Sequence, residues 1–307
     1  MSRFLFRGMM APTFTPFKDN GSLNLELIPA YTKHLQQSGV KGAWVNGTVG
    51  ECMSMTVPER KEVAETWIKR RADVPTIIIH CGGGCLKDTQ ELARHAEALG
   101  ADGVAVFPCL FDKPESTEEL VEYMQEVATA CPNTPLFYYH YPIKTGVQLS
   151  MSEFLREGMK RIPTLSGIKF TDVDVSGEGK KCVEVAQGSL ALFSGFDKTL
   201  QEALSVGFTC AVNSGFNFLP QHGSQVFALM EAGDAAGAIE AQGIISTCFD
   251  TMLNANDAPY TVSCLKTATT LLTGLDFGAV RKPTRAFTHS MTNTLRKDLQ
   301  ELGHKVY

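Results

Sequence analysis

Short apolar runs recur along the chain: MMAPTFT from Met9, AWVN from Ala43, TIIIHC from Thr76, GVAVF from Gly103, LFYYH from Leu136, SGIKF from Ser166, ALFSG from Ala191 and CAVNS from Cys210. Each is too short for a buried helix, rich in Val, Ile, Phe or Tyr, and bounded by Gly or polar residues. This pattern predicts eight strands buried on both faces. Between them the period changes. Leu92, Ala96 and Leu99 share a helical face that Gly100 ends, and Leu120, Met124 and Val127 share another that Pro132 closes. Asp88 with Glu91, and Ser116 with Glu119, have capping-box spacing, while Pro58 suits the first helical position ahead of Val63 and Trp67.

Strand followed by helix, eight times in about 220 residues, predicts an α/β fold of the TIM (β/α)8 barrel type. The seventh unit is the thinnest, because the runs at Ala191 and Cys210 lie close together. A doubly wound open sheet is the alternative, but Gly82 to Gly84 do not have the GxGxxG spacing that would mark it. Beyond residue 220 the pattern is helical only, from QHGSQVFALMEAG through AGAIEAQGIISTCFDTML to TRAFTHSMTNTLRKDLQELG. The expected organisation is a barrel over 1–220 and a C-terminal helical extension over 221–307. With no linker-like composition between them, the two are expected to pack as one structural unit.

Composition narrows the function. The 307 residues are 44% apolar and 20% charged, the balance of a folded globular chain. Lys and Arg number 28 against 33 Asp and Glu, with no basic tract, so no nucleic-acid partner is expected. No apolar run reaches the length of a membrane span or a secretory leader, and Pro12 and Pro16 interrupt the first segment. Nine cysteines without CxxC pairing are expected as reduced thiols of a cytoplasmic protein. Cys81 and Cys85 flank three glycines, but no second ligand pair completes a metal site, so a tight turn is expected there and no metal.

In such barrels the reactive groups stand at the carboxyl ends of the strands. Strand two ends in Asn46, Gly47, Thr48, Val49, Gly50 and Glu51; strand five in Tyr138, Tyr139 and His140; strand six in Lys169 and Thr171. Strand seven ends in Ser194, Gly195 and Asp197, and strand eight in Asn213 and Ser214, all of which could converge on one mouth. A lysine closing an apolar strand must desolvate its ammonium or snorkel, and desolvation lowers its pKa from about 10.4 toward the nucleophilic range that Schiff-base chemistry uses. Tyr139 on the preceding strand supplies a phenol able to shuttle protons beside an imine. Gly47 and Thr48, in a strand-to-loop turn, can present N–H groups and a hydroxyl to a carboxylate.

VNGTVGE, YYHYPIKTG and GIKFTD, in that order and at these separations, resemble the pyruvate-dependent class I aldolases, the family that includes N-acetylneuraminate lyase and dihydrodipicolinate synthase. The resemblance covers nearly the whole chain. Within the family, YYHxP followed by TGV, Glu59 with Arg60, and the KFTD and FSGFD segments are most similar to the animal N-acetylneuraminate lyases. The resemblance implies an imine between Lys169 and the 2-oxo carbon of the substrate, with Tyr139 taking the C4 hydroxyl proton as the C3–C4 bond breaks. Reversible cleavage of N-acetylneuraminate to N-acetylmannosamine and pyruvate is the reaction it implies. It further implies a carboxylate seat at Thr48 and Val49, with Thr48 bonded to Tyr139, and sugar-chain contacts from Thr171, Gly195, Asp197 and Ser214. No cofactor is implied, since Lys169 is itself the electron sink. Family members are usually homotetramers, and that assembly is expected here.

Four residues depart from the family pattern. Val49 stands where a second hydroxyl is usual, a loss of about 1–2 kcal/mol of carboxylate binding. Lys198 replaces a glutamate that holds glycerol-chain hydroxyls, Asn213 replaces a glycine beside Ser214, and Lys144 occupies a position that is apolar in lyases and arginine in dihydrodipicolinate synthase. Two added cations and one lost carboxylate would favour an anionic or shorter 2-oxo acid, an alternative with the same imine chemistry. A catalytically weak metabolite-binding homologue is the third reading, motivated by Val49.

Overall fold

The computed structural model describes residues 4–254 and 261–307. The expectation about an N-terminal leader therefore falls partly on residues 1–3, which lie outside the described ones. Eight parallel strands close into a barrel in sequence order: β1 (Gly8–Pro12), β2 (Gly42–Val45), β3 (Thr76–His80), β4 (Gly103–Val106), β5 (Leu136–His140), β6 (Leu165–Phe170), β7 (Ala191–Ser194) and β8 (Cys210–Val212). All eight apolar runs of the sequence are strands, and closure through β1 with β8 rules out the open sheet.

The strands separate two cores. Inward residues fill the lumen with Met10, Trp44, Ile78, Phe137, Tyr139 and Phe193, with Phe4 and Phe6 packed against Phe137 and Phe193. Outward residues such as Val45, Ile79, Val104, Tyr138 and Ile168 pack beneath the helices. Because alternate side chains take opposite faces, each strand contributes to both. Register sets the lumenal neighbours: Tyr139 pairs with Lys169, and Lys169 with Phe193. Gly167 makes that register possible, since a Cβ there would come within 1.8 Å of the Ala191 carbonyl oxygen.

Helix Leu86–Ala98 starts earlier than Asp88 would have it: Cys85 is the N-cap and makes no side-chain cap, which leaves Asp88 in the first turn. The capping box expected of Asp88 with Glu91 therefore does not form, although a carboxylate in the first turn still faces the positive end of the helix dipole. Ser116 does cap helix Thr117–Ala128, accepting from the Glu119 N–H, but Glu119 turns back to the Glu115 N–H, so only half the box forms. The complete box is Thr56 with Glu59, at the start of helix Val57–Ile68, where Pro58 follows Val57 in the first turn.

Helix Pro220–Glu231 packs against β1 and helix Leu200–Val206 and so completes the outer ring. Ala235–Asn254, Thr261–Thr273 and His289–Glu301 follow it. None of the described helices is long and apolar enough to cross a membrane.

Candidate active site

Lys169 is the inward residue one place before the end of β6, between the outward Ile168 and Phe170. Its side chain is 4% exposed, with Nζ 4.2 Å from the centre of the Tyr139 ring and 5.5 Å from that of Trp44. It makes no ion pair among the described residues. Desolvation therefore dominates, and its pKa falls to about 7, with only the field of Asp197 resisting. A substantial fraction is neutral amine at pH 7, which a free lysine is not.

Tyr139 is buried beside it, its hydroxyl 3.3 Å from Thr48 Oγ1. Burial pushes the phenol well above its ordinary pKa. A phenol so placed stays protonated near neutral pH, which suits it to relay protons rather than to act as a standing base. Gly195 lies so close to Thr171 that a Cβ would meet its hydroxyl at 1.9 Å, so only glycine lets β6 and β7 end side by side here. Asp197 accepts from the N–H groups of Ser214, at 3.1 Å, and Gly215, at 2.7 Å. Burial nevertheless lifts its pKa to about 6, because desolvation exceeds the lowering by those donors.

The turn after β2 faces the same space. Asn46 and Glu51 bound it in left-handed backbone, at φ 59° and 55°. The N–H groups of Thr48 and Val49 donate to no acceptor among the described residues, although Val49 is only 8% exposed. Free adjacent N–H groups on a partly buried turn form a seat for an anion.

A cavity of about 830 Å³ joins these pieces, at the upper part of the range of roughly 300–1,000 Å³ usual for small-molecule sites. Thr48, Val49, Tyr139, Lys144, Lys169, Thr171, Gly195, Asp197, Lys198 and Ser214 all line it, so every sequence-predicted site residue comes to one mouth. Not every strand-end polar residue does. Asn213 is fully buried and donates to the Ser194 carbonyl; it does not line the cavity and adds no bulk there. Ser194 and His140 also face away, His140 toward Asp172 at 3.3 Å. Strand alternation is the reason: a residue adjacent to an inward one points outward. Lys198 is not a free cation either, because Asp250 holds its Nζ at 2.7 Å on the half-exposed rim. Lys144 makes no ion pair among the described residues.

Sequence reasoning missed one wall. Tyr141 stacks on Tyr139 with ring centres 5.8 Å apart, and Phe249, Leu253, Val262 and Leu265 reach over from the helical extension. Tyr141 continues the inward alternation of Phe137 and Tyr139 and was findable; the extension residues carry no local signal. Among the described residues no group of three His, Cys, Asp or Glu could hold a metal ion, and Cys81 is buried while Cys85 is exposed.

Residues 5–302 match the model of the dihydrodipicolinate synthetase family. The chain is 37% identical to N-acetylneuraminate lyase of Mus musculus over 298 residues, 96% of this chain and 92% of that protein. Among solved structures, N-acetylneuraminate lyase of Proteus mirabilis superposes with a TM-score of 0.91 at 32% identity, covering 97% of this chain and 99% of the other. N-acetylneuraminate lyase (sialic acid aldolase) of Aliivibrio salmonicida does so with 0.91 at 31% identity, covering 99% and 98%. A closed barrel, a desolvated lumenal lysine beside a tyrosine, and a match over nearly its whole length place this chain in the dihydrodipicolinate synthetase family of (β/α)8 aldolases.

Proposed function

We propose that this protein is a Schiff-base aldolase that reversibly cleaves N-acetylneuraminate to N-acetylmannosamine and pyruvate. The observation that carries the reading is the Lys169 amine, desolvated to a pKa of about 7 and set against the Tyr139 phenol in a cavity of substrate size. The neutral amine attacks the 2-oxo carbon, and loss of water leaves a protonated imine. Its positive charge draws the electrons of the C3–C4 bond as Tyr139 takes up the C4 hydroxyl proton and passes its own through the Thr48 hydroxyl to solvent in the cavity, which releases the aldehyde and an enamine. Protonation at C3 and hydrolysis return pyruvate and Lys169. The unpaired N–H groups of Thr48 and Val49 suit the substrate carboxylate, and Thr171, Gly195, Asp197 and Ser214 line the space for the rest of the chain.

The reading of an anionic or shorter 2-oxo acid loses part of its support here. Asp250 pairs with Lys198, and Asn213 lies outside the cavity, which leaves Lys144 and the missing carboxylate at position 198 as the departures that favour it. A cytoplasmic homotetramer belongs to the same proposal. Nine free cysteines suit a reducing compartment, and Phe111 and Ile143, 93% and 80% exposed, are apolar surface for an assembly to cover.

Intact-protein mass after incubation with N-acetylneuraminate and borohydride tests the activity. A reduced pyruvyl adduct is expected, because only cleavage leaves that fragment on the enzyme. An intact sialyl adduct would mean binding without cleavage, as a weak binding homologue would give. No adduct from N-acetylneuraminate, with pyruvate still trapped, would transfer the imine chemistry to another 2-oxo acid.

A further inference from the structure

The anion seat at Thr48 and Val49 is held from outside the barrel. Glu51 closes the turn in left-handed backbone, a conformation that costs about 1–3 kcal/mol for a residue other than glycine unless its surroundings enforce it. Its carboxylate is fastened at both oxygens. Lys266 Nζ donates to Oε1 at 2.9 Å, and the Arg281 N–H donates to Oε2 at 2.8 Å. Both charged side chains of this pair are 1% exposed.

The anchors are themselves fixed. Lys266, on helix Thr261–Thr273, also donates to the Ala279 carbonyl at 3.3 Å, and its Nζ lies 4.3 Å from the centre of the Phe17 ring. Arg281 lies over the same ring and reaches back to Glu59 with two hydrogen bonds, to the Ser54 carbonyl and to the Gly21 carbonyl. On the barrel side, Thr15 Oγ1 donates to the Gly50 carbonyl at 2.7 Å and Asn46 Nδ2 to the Arg60 carbonyl at 2.9 Å. The turn thus has three moorings, and the charged one comes from the helical extension. The residue beside Lys266, Leu265, lines the active-site cavity.

We propose that Glu51 and Lys266 are positioning residues, which lock the turn so that the Thr48 and Val49 N–H groups stay aimed at the substrate carboxylate. The helical extension thereby sets affinity for the 2-oxo acid through the turn, in addition to the wall it gives the cavity. This inference rests on the proposed imine reaction with pyruvate as a ligand. A buried ion pair is weak as a source of stability, because desolvation offsets the attraction, whereas removing one partner leaves an uncompensated charge that the surrounding backbone must move to relieve. The expected signature is therefore a loss of carboxylate affinity with the chemistry at Lys169 retained.

The test is borohydride trapping of pyruvate on the full chain, titrated to saturation and read by intact mass. Lys266→Met preserves side-chain length and removes the charge. The double variant Glu51→Gln with Lys266→Met leaves no unpaired buried charge, so it stays folded if the single variant does not. In each, the half-saturating pyruvate concentration is expected to rise about tenfold, the equivalent of one charge-assisted hydrogen bond. The limiting adduct is expected to remain one per chain. Half-saturation within twofold of the parent in a folded variant would overturn the proposal, as would a reduced limiting adduct at unchanged half-saturation, the mark of a merely structural pair. If the parent itself traps no pyruvate, the imine reading fails, and this inference falls with it for a separate and visible reason.

Discussion

Two lysines are buried in this protein to nearly the same degree, and they differ in what holds their charge. Lys169 is 4% exposed and Lys266 is 1% exposed, and each lies a little over 4 Å from the centre of an aromatic ring. Burial disfavours the charge of both. Lys266 has the carboxylate of Glu51 at 2.9 Å and a backbone carbonyl besides, which together oppose its loss of the proton. Lys169 has neither in contact, only the field of Asp197. Burial alone does not make a nucleophile. In the proposed reaction it is the absence of a hydrogen-bonded counter-charge that frees the Lys169 amine, because desolvation then goes uncompensated.

The same substitution at both sites tests this contrast most severely. Lys169→Met is expected to abolish the trapped adduct and lower turnover on the order of 10⁴-fold or more, as loss of a covalent nucleophile does. Lys266→Met should keep a full adduct at saturating pyruvate. An adduct on Lys169→Met would place the imine elsewhere and dissolve the comparison.

A smaller effect is expected from removing the counter-charge that separates the two. Glu51→Leu leaves Lys266 buried without its carboxylate, and unfolding by denaturant should show a loss of about 3–5 kcal/mol. Pairing it with Lys266→Met should recover most of that. Equal stability of the single and double variants would mean that Lys266 finds another acceptor and that the ion pair is incidental.

The finest adjustment is in pH. The rate of pyruvate trapping should rise with pH through about 7, as Lys169 gives up its proton. Asp197 holds the Lys169 pKa up, and its own carboxyl titrates near 6. Asp197→Asn removes that negative charge, so the Lys169 pKa falls further and the acid limb should move to lower pH. A limb that stays in place, or moves up, would show that Asp197 does not act on the amine.

The sequence by itself determined the barrel, because runs such as TIIIHC and LFYYH are long enough for a strand and too short for a helix, and they alternate with helical periods. It also pointed to residues that meet at the mouth, since a glycine-threonine turn after β2, a tyrosine on β5 and a lysine on β6 stand at the strand ends where such barrels gather their reactive groups. Only the tertiary structure decided which strand-end residues face inward. Asn213 and Lys169 read alike as polar strand ends, yet one is spent on the Ser194 carbonyl of the neighbouring strand and the other opens into the cavity. Only the fold, likewise, brought Glu51 to Lys266 across 215 positions, or Lys198 to Asp250 across 52. Strand identity is a local property of side-chain size and period. A counter-charge is a property of what arrives from elsewhere in the chain, and local pattern carries no record of it.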